Sequence, residues 1–189
     1  MIARAVDIVV AALVLALTAP LLALAAVAIK LTSRGGVLYR QPRAGLHGEV
    51  FNVIKLRTMV AGAEFIGAGM AVDAGDQRIT RVGGLRRRTS IDELPNLVNV
   101  LRGEMSLIGP RPTLPSQVAA YDARQRRRLD VKPGITGWAQ VNFPYGASVE
   151  DAREKLAYYL YYVKNRNLLL DLLILFGTVR VILFREGAR

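Results

Sequence analysis

The chain has 189 residues, of which 52% are hydrophobic and 22% are charged, so it is too apolar for a disordered protein and too charged for a bundle of membrane helices. Lysine and arginine number 26 against 15 aspartates and glutamates, and the net charge of +11 favours anionic partners such as phosphates, nucleic acid or acidic lipid. The absence of cysteine excludes disulfides, thiolate nucleophiles and cysteine-ligated zinc, and the single histidine excludes a multi-histidine metal site.

The first long feature of the chain is an uncharged apolar segment of 22 residues from Ile8 to Ile29. As a straight helix it would cover about 33 Å, which is enough to cross a bilayer and too long for a signal peptide. Pro20 lies in its middle, where it kinks or breaks a helix, and basic residues flank both ends. We therefore predict a re-entrant membrane helix over residues 1–30, with a kinked spanning helix or a buried helix as alternatives.

The middle of the chain is polar and shows no repeat or linker. Its pattern predicts short strands over Val37–Arg40 and Val50–Lys55, joined by a turn that contains His47, to which we assign no role. Residues 61–75 predict a helix followed by a mobile loop, and residues 122–130 predict an exposed basic helix. The expected fold class is α+β and mostly helical, with residues 31–189 as one catalytic domain.

The last apolar segment, Leu168 to Phe184, contains Asp171 and Arg180 and is a poor candidate for a spanning helix. Polar residues recur here every seven positions, which predicts a narrow polar stripe on an apolar helix; they are Lys164, Asp171, Thr178 and Arg185. Four tyrosines between positions 158 and 162 are typical of a region at lipid headgroups. The pattern favours an interfacial helix over about 155–185, and a core helix with one wet edge is the alternative.

The strongest chemical signal is the segment RRRTSIDELPN at residues 86–96, in which three arginines precede Asp92 and Glu93. Ser90 and Glu93 have the spacing of a capping box, whereas Pro95 favours a helix that begins near Asp92. In both versions the two carboxylates lie at a helix N-terminus, where the helix dipole and the arginines keep them ionised. An ionised carboxylate can act as a nucleophile or a Mg²⁺ ligand, or it can simply cap the helix and pair with arginine.

Further cations lie in two other motifs. The two prolines of Gly109-Pro110-Arg111-Pro112 fix the backbone around Arg111, and such a guanidinium suits a phosphate oxygen, although an idle surface arginine has the same pattern. Lys55 and Arg57, which are two positions apart, lie at the end of a predicted strand. Trp138 lies in a turn and either stacks on a base or fills the core. The chain has no Walker phosphate loop and no dinucleotide-binding glycine motif.

Together these motifs resemble one family, the bacterial monotopic phosphoglycosyl transferases, also called bacterial sugar transferases. The resemblance covers nearly the whole chain: the apolar segment with its central proline, then residues 55–59, 87–96, 109–112 and 132–142, in the order and spacing of the family. The chain resembles the minimal catalytic form. It departs from the family at Ala19, where serine often precedes the proline, and at Gln77 and Asn96, and these departures leave the acid pair intact.

The resemblance implies an enzyme of the bacterial inner membrane, acting at the cytoplasmic face, in the first membrane step of polysaccharide or glycoconjugate assembly. Its reaction would move a phosphosugar from a UDP-sugar to polyprenol (undecaprenyl) phosphate and release UMP, with Mg²⁺ as cofactor. The family's Asp-Glu dyad matches Asp92 and Glu93. Anionic membrane lipid is a further expected partner, and nucleic acid is not expected.

From the resemblance we expect a two-step reaction. Asp92 attacks the sugar-bearing phosphorus, UMP leaves while Mg²⁺ held by Glu93 and Asp92 takes up developing charge, and the polyprenol phosphate then attacks the phospho-aspartyl intermediate. The cations expected to bind the substrate phosphates are Arg111, Arg87, Arg88, Lys55 and Arg57. Two alternatives are a membrane-tethered nucleic-acid-binding protein and a scaffold built on an inactive transferase fold.

Overall fold

The computed structural model describes residues 2–66, 76–143 and 149–184, and within them it is mostly helical with four short strands, as predicted. The helices are α1 (Ile2–Thr32), α2 (Arg81–Arg88), α3 (Leu97–Arg102), α4 (Pro115–Ala119), α5 (Ala123–Arg126), α6 (Trp138–Asn142), α7 (Val149–Asn165) and α8 (Leu168–Phe184). The strands are β1 (Leu38–Ala44), β2 (Val50–Leu56), β3 (Ser106–Ile108) and β4 (Gly134–Thr136). The helix and loop predicted over 61–75 correspond to a 3₁₀ turn at Ala63–Phe65, and residues 67–75 lie outside the described part.

Helix α1 continues through Pro20 over 31 residues, and among the described residues it is the one helix long and apolar enough to cross a bilayer. Its N-terminal half packs on the polar domain through two charged residues. Arg4 donates to the carbonyls of Val100 and Leu101, at 2.6 and 2.9 Å, and so caps the end of α3. Asp7 accepts hydrogen bonds from the Ser106 hydroxyl at 2.8 Å and the Leu107 amide at 3.0 Å.

The core of the domain lies where α1, β2 and α3 meet. Its buried apolar side chains are Ala11, Phe51, Val53, Leu97, Val100 and Met105. Strands β1 and β2 pair antiparallel from Leu38 opposite Leu56 to Ala44 opposite Val50, close to the predicted hairpin. His47 is exposed in the intervening turn with φ +54°, and nothing in its position gives it a chemical role.

Strands β3 and β4 pair in parallel, with Ser106 opposite Gly134 and Ile108 opposite Thr136. The two backbones touch so closely that a Cβ at Gly109 would collide with the carbonyl oxygen of Lys132, and a Cβ at Gly134 would collide with the amide of Gly109. Only glycine permits this approach. This close contact between the two backbones therefore fixes the position at which the loop that carries Arg111 begins.

The predicted helix over 155–185 is two helices, α7 and α8, separated at Arg166 and Asn167. The side chain of Asn167 accepts a hydrogen bond from the Leu170 amide at 2.9 Å, which begins α8 at an N-cap and ends the longer predicted helix.

Two polar residues of α8, Asp171 and Thr178, face the protein, whereas Arg180 is exposed. Asp171 accepts a hydrogen bond from the Tyr162 hydroxyl at 3.0 Å, and Thr178 bonds Thr136 at 2.7 Å. The opposite face is apolar and exposed; it includes Leu168, Leu169, Leu172, Phe176, Val179, Ile182 and Phe184. Of the four predicted stripe residues, Asp171 and Thr178 lie on one face of α8 and contact the domain, Lys164 is exposed on α7, and Arg185 lies outside the described residues.

Candidate active site

The acid pair lies in a 3₁₀ segment, Ile91–Asn96, that leads directly into α3. Asp92 and Glu93 occupy the first turn of this segment, and Pro95 lies inside it. This is close to the prediction that a helix begins near Asp92. The capping box is wrong: Ser90 adopts φ +55° and its side chain caps no backbone amide. A left-handed residue at this position turns the chain sharply out of α2 and into the acid pair.

Two asparagines attach the acid segment to strand β2. The side-chain oxygens of Asn96 and Asn99 both accept hydrogen bonds from the Ile54 amide, at 3.1 and 3.2 Å. The fully buried Asn99 amide group also donates to the Asn52 carbonyl and to Glu104, both at 2.7 Å. These bonds fix the distance between the acid pair and Lys55. This role was not predicted from the sequence, although two asparagines three residues apart in an apolar segment indicate it.

Two predicted phosphate-binding cations meet the Glu93 carboxylate. Lys55 Nζ lies 2.6 Å from Glu93 Oε1, and Arg111 Nη2 lies 2.8 Å from the same oxygen. Asp92, next to them, is buried with 9% of its surface exposed. Residues from β2, the acid segment and the Arg111 loop, far apart in sequence, thus form one charged cluster.

The cluster keeps Glu93 ionised. Burial raises the pKa of the Glu93 carboxyl, but the charges and hydrogen bonds of Arg111 and Lys55 outweigh it and hold the pKa well below the ordinary range. Glu93 in turn raises the pKa of Arg111 against the effect of burial. Burial lowers the pKa of Lys55, and Glu93 only partly offsets this. The sequence predicted an ionised carboxylate, with the helix dipole and the arginines of residues 86–88 as the cause; the structure shows instead that Lys55 and Arg111 pair with Glu93.

The cations line a cleft of about 300 Å³, a volume that includes its open mouth. The cleft is bounded by Lys55, Glu93 and Arg111, and Arg43 from β1 adds a third cation. Arg43 donates to the Pro112 carbonyl at 3.2 Å and to Gln41 at 2.6 Å, which places its charge beside that of Arg111. From the sequence, Arg43 was predicted only as a charge that flanks the apolar segment, because its place in the cleft depends on the β1–β2 register.

The structure does not bring Arg57 into this cluster. Its side chain is buried, and its guanidinium donates to the carbonyls of Ser33 and Arg34 and, at 2.8 Å, to the Ser33 hydroxyl. Arg57 thus fixes the chain that leaves the C-terminal end of α1, and this placement does not support the predicted phosphate contact. The side chains of Arg87 and Arg88 lie outside the described part of the structure.

Trp138 packs against the buried cluster that includes Ile108, Tyr162 and Ile174, and its ring stacks on Tyr161 with 5.8 Å between centroids. This favours its interpretation as a core residue over base stacking.

The acid pair supplies carboxylates, which are the kind of side-chain ligand that a magnesium ion takes. Among the described residues no group of three or more acidic, histidine or cysteine side chains is present, so the protein offers the two neighbouring carboxylates of Asp92 and Glu93. Mg²⁺ at phosphate-transfer sites is usually held by one or two carboxylates, with water and substrate phosphate completing its shell. Both cations of the cluster bind Glu93 Oε1, so Oε2 carries neither of those ion pairs.

Comparisons with known proteins show the family to which the chain is related. Residues 1–185 match the model of a family described as bacterial sugar transferase. The chain is 46% identical over 189 residues to the UDP-N-acetylgalactosamine-undecaprenyl-phosphate N-acetylgalactosaminephosphotransferase of Aeromonas hydrophila, which covers 98% of this chain and 44% of that protein. It is also 46% identical over 190 residues to the UDP-glucose:undecaprenyl-phosphate glucose-1-phosphate transferase of Caulobacter vibrioides, covering 98% of this chain and 71% of that protein.

A third relative, from Bacillus subtilis, is named an uncharacterized sugar transferase EpsL; it is 40% identical over 184 residues, covering 97% of this chain and 88% of that protein. The chain therefore spans less than half the length of the Aeromonas relative and most of the length of the Bacillus one. The matched region contains the acid pair, its two cation partners and the Gly109–Pro112 loop. On this combined evidence the chain belongs to the bacterial sugar transferase family.

Proposed function

We propose that this protein is a membrane-bound phosphoglycosyl transferase that moves a phosphosugar from a UDP-sugar to polyprenol (undecaprenyl) phosphate and releases UMP. The observation that carries the proposal is the Glu93 carboxylate held by Lys55 and Arg111 beside the buried Asp92, at the edge of an open cleft. Two relatives with equal identity to this chain are named for different sugars, N-acetylgalactosamine and glucose. The proposal therefore commits to the UDP-sugar class and leaves the sugar open.

The charges of the cleft suit a diphosphate substrate. Transfer between phosphoanhydrides requires mainly that negative charge is neutralised and that a nucleophile is held in line with the leaving oxygen. Arg111 offers a planar fork of donors that matches a phosphate, and Lys55 and Arg43 add charge on the same side of the cleft. The bonds from Asn96 and Asn99 to β2 hold the acid pair still, so the cations need little rearrangement when substrate binds.

The reaction has two displacements at one phosphorus atom. First, an Asp92 carboxylate oxygen bonds to the sugar-bearing phosphorus, and the bond from that phosphorus to the bridging oxygen breaks. UMP leaves with the bridging oxygen and the electron pair. Next, a phosphate oxygen of the polyprenol phosphate bonds to the same phosphorus, and the acyl phosphate bond breaks. This restores the Asp92 carboxylate and yields the polyprenol diphosphosugar.

Glu93 and Asp92 are the residues that would hold a Mg²⁺ ion, and the ion would neutralise diphosphate charge when bound. Glu93 supports this role because its depressed pKa keeps it ionised throughout the physiological range.

The apolar surfaces support attachment to a membrane. The outward faces of α1 and α8 expose large aliphatic and aromatic side chains, among them Leu17, Leu24 and Phe176, each at least 70% exposed. Both ends of α1 are hydrogen-bonded to the same polar domain, by Arg4 at the start and by Arg57 just beyond the end. These contacts at both ends favour a re-entrant helix. The excess of basic residues favours a site at the cytoplasmic face of the bacterial inner membrane and contact of the basic surface with anionic lipid.

The first experiment measures UMP release from a panel of UDP-sugars by purified protein in detergent with polyprenol phosphate and Mg²⁺. We expect Asp92→Asn to reduce UMP release by at least about a thousandfold, because the nucleophile is lost. Asp130→Asn is the matched control, since Asp130 is exposed and lies outside the cleft. UMP release that survives Asp92→Asn would refute the covalent step, and absence of release with every donor would refute the transferase.

A second experiment tests the re-entrant helix. The chain has no cysteine, so Ala3→Cys and Thr32→Cys, both at exposed positions at opposite ends of α1, each create a single thiol. A membrane-impermeant maleimide added to inside-out vesicles should label both variants, and added to right-side-out vesicles should label neither. Labelling of the two ends from opposite sides would establish a spanning helix.

A further inference from the structure

Arg128 differs from the other arginines of its basic segment. Arg124, Arg126 and Arg127 are exposed, as predicted for residues 122–130, but Arg128 is half-buried and turned toward the Arg111 loop. Its Nη2 donates to the carbonyl oxygen of Arg111 at 2.8 Å, and its Nη1 donates to the Tyr121 hydroxyl at 3.1 Å. Its guanidinium also lies 4.1 Å from the centroid of the Tyr159 ring on α7.

The Arg111 loop shows why such a contact matters. Four consecutive carbonyls, from Pro110 to Thr113, each accept one hydrogen bond from outside the loop. The outer two are bound by backbone amides, that of Gly134 at 3.0 Å and that of Ala44 at 2.9 Å. The inner two are bound by arginine side chains: Arg43 reaches Pro112 at 3.2 Å and Arg128 reaches Arg111. The two prolines prevent this segment from forming a regular strand. Arginine side chains therefore donate to the two inner carbonyls in place of backbone amides.

We propose that Arg128 is a positioning residue for Arg111, an inference that rests on the proposed function. Arg128 holds the Arg111 backbone from one side while the Arg111 side chain reaches Glu93 on the other, so the direction of the Arg111 guanidinium depends on Arg128. A planar guanidinium suits this task because it donates along fixed directions and stacks on an aromatic face at the same time. Through Tyr159, Arg128 also ties the Arg111 loop to α7, one of the two C-terminal helices.

The kinetic test compares Arg128→Met with Arg124→Met, a matched change at an exposed arginine. Loss of one hydrogen bond to the loop should raise the KM for the UDP-sugar about tenfold, with kcat changed less than about threefold, because Arg111 then meets the diphosphate in several orientations. Arg128→Lys should recover part of the loss, since lysine keeps the charge over Tyr159 and one donor. Arg124→Met should behave as wild type.

A role through Arg111 predicts non-additive effects. In an Arg111→Lys background, Arg128→Met should change the KM by less than about twofold, because the guanidinium that Arg128 aims is already gone. A purely structural role would lower activity by the same factor in both backgrounds, and this result would overturn the inference.

Hydrogen exchange followed by mass spectrometry tests the inference without any turnover. The amides of Ala44 and Gly134, which donate to the Thr113 and Pro110 carbonyls of the loop, should exchange faster in Arg128→Met than in wild type, while peptides from α3 stay unchanged. If the wild-type protein releases no UMP, the proposed function fails and this measurement alone decides whether Arg128 holds the loop. Unchanged exchange at the Ala44 and Gly134 amides, or faster exchange throughout the protein, would overturn the inference.

Discussion

Two regions of this molecule use arginine in opposite ways. At the C-terminal end of α1, Arg57 is 8% exposed and donates to backbone carbonyls of the chain that follows the helix. In the cleft, the side chain of Arg111 is 49% exposed and pairs with a carboxylate that also binds Lys55. Both arginines match motifs of the family, and both are expected from the sequence to bind phosphate. The groups to which they donate hydrogen bonds distinguish the two arginines.

The difference indicates how an anchoring cation can be told from a ligand-binding one. A buried guanidinium that donates to backbone carbonyls has its donors already in use. A phosphate could bind it only by breaking those hydrogen bonds and leaving the buried carbonyls unpaired, which is unfavourable. A half-exposed guanidinium paired with a carboxylate keeps donors that a phosphate can reach, and the surrounding charge favours an anion. Arg57 is therefore expected to contribute to stability and Arg111 to activity.

The largest expected effect comes from Glu93, the residue that joins the cations of the cleft. Glu93→Gln removes the negative charge between Lys55 and Arg111, and we expect UMP release to fall at least about a hundredfold because charge in a preorganised site is lost. Glu49→Gln, in the exposed turn between β1 and β2, is the control. Helical content measured by circular dichroism should stay unchanged in both. Activity within tenfold of wild type would argue that Glu93 only caps the helix.

The pH dependence follows from the same cluster. The depressed pKa of Glu93 keeps its carboxylate ionised well below pH 4.5, so titration of Glu93 should cause no loss of activity between pH 7 and pH 5. Because burial lowers the pKa of Lys55, the alkaline fall in activity should begin below the ordinary lysine value of 10.5. A pH–rate profile of wild-type protein measures both limbs. An acidic limb that disappears in Glu93→Gln would contradict the first expectation.

The next prediction tests the comparison directly with one pair of variants. Arg57→Met should lower the free energy of unfolding by about 2 kcal/mol, because the Ser33 and Arg34 carbonyls and the Ser33 hydroxyl lose a charged donor, and leave kcat/KM per folded molecule within about threefold. Arg111→Met should do the reverse, with kcat/KM about a hundredfold lower and stability nearly unchanged. Urea unfolding in detergent and UMP release give the two quantities. If both variants lose activity equally, exposure and partner type do not separate the two roles.

The sequence predicted those features that depend on local spacing. The β1–β2 hairpin, the acid pair in a first helical turn and the seven-residue polar period of α8 were all readable, because alternation, proline position and helical periodicity are properties of neighbouring residues. The partners of Arg57 and Arg128 were not readable. Each is set by packing between residues seven or more positions apart in the chain. An arginine in a cleft and an arginine in a structural anchor can also match the same sequence pattern.

The surroundings of the α8 stripe, which the sequence left open, could not be predicted for a related reason. A polar stripe on a soluble helix faces water, but at α8 the polar groups bind Tyr162 and Thr136 and the apolar face is outermost. The periodicity of polar residues predicts which residues share a helix face, but it does not predict whether that face contacts water, lipid or the rest of the protein. α1 shows the same inversion, since its charged residues Arg4 and Asp7 contact the domain.

The smallest expected effect concerns the Tyr162–Asp171 bond, an anchor built from a carboxylate. Burial raises the pKa of Asp171, and the bond from Tyr162 partly lowers it again. A raised carboxyl pKa means that the folded state binds more protons than the unfolded state between pH 3.8 and the folded pKa, so stability falls as pH rises through that window. Tyr162→Phe removes the lowering contribution, moves the folded pKa further up and should cost about 1 kcal/mol at pH 7, with a smaller loss near pH 4. Tyr161→Phe, which keeps a ring stacked on Trp138, is the control. A loss of stability that is equal at the two pH values would mean that Asp171 carries the same charge with and without its tyrosine partner, and the pair would then be no more than a packing contact.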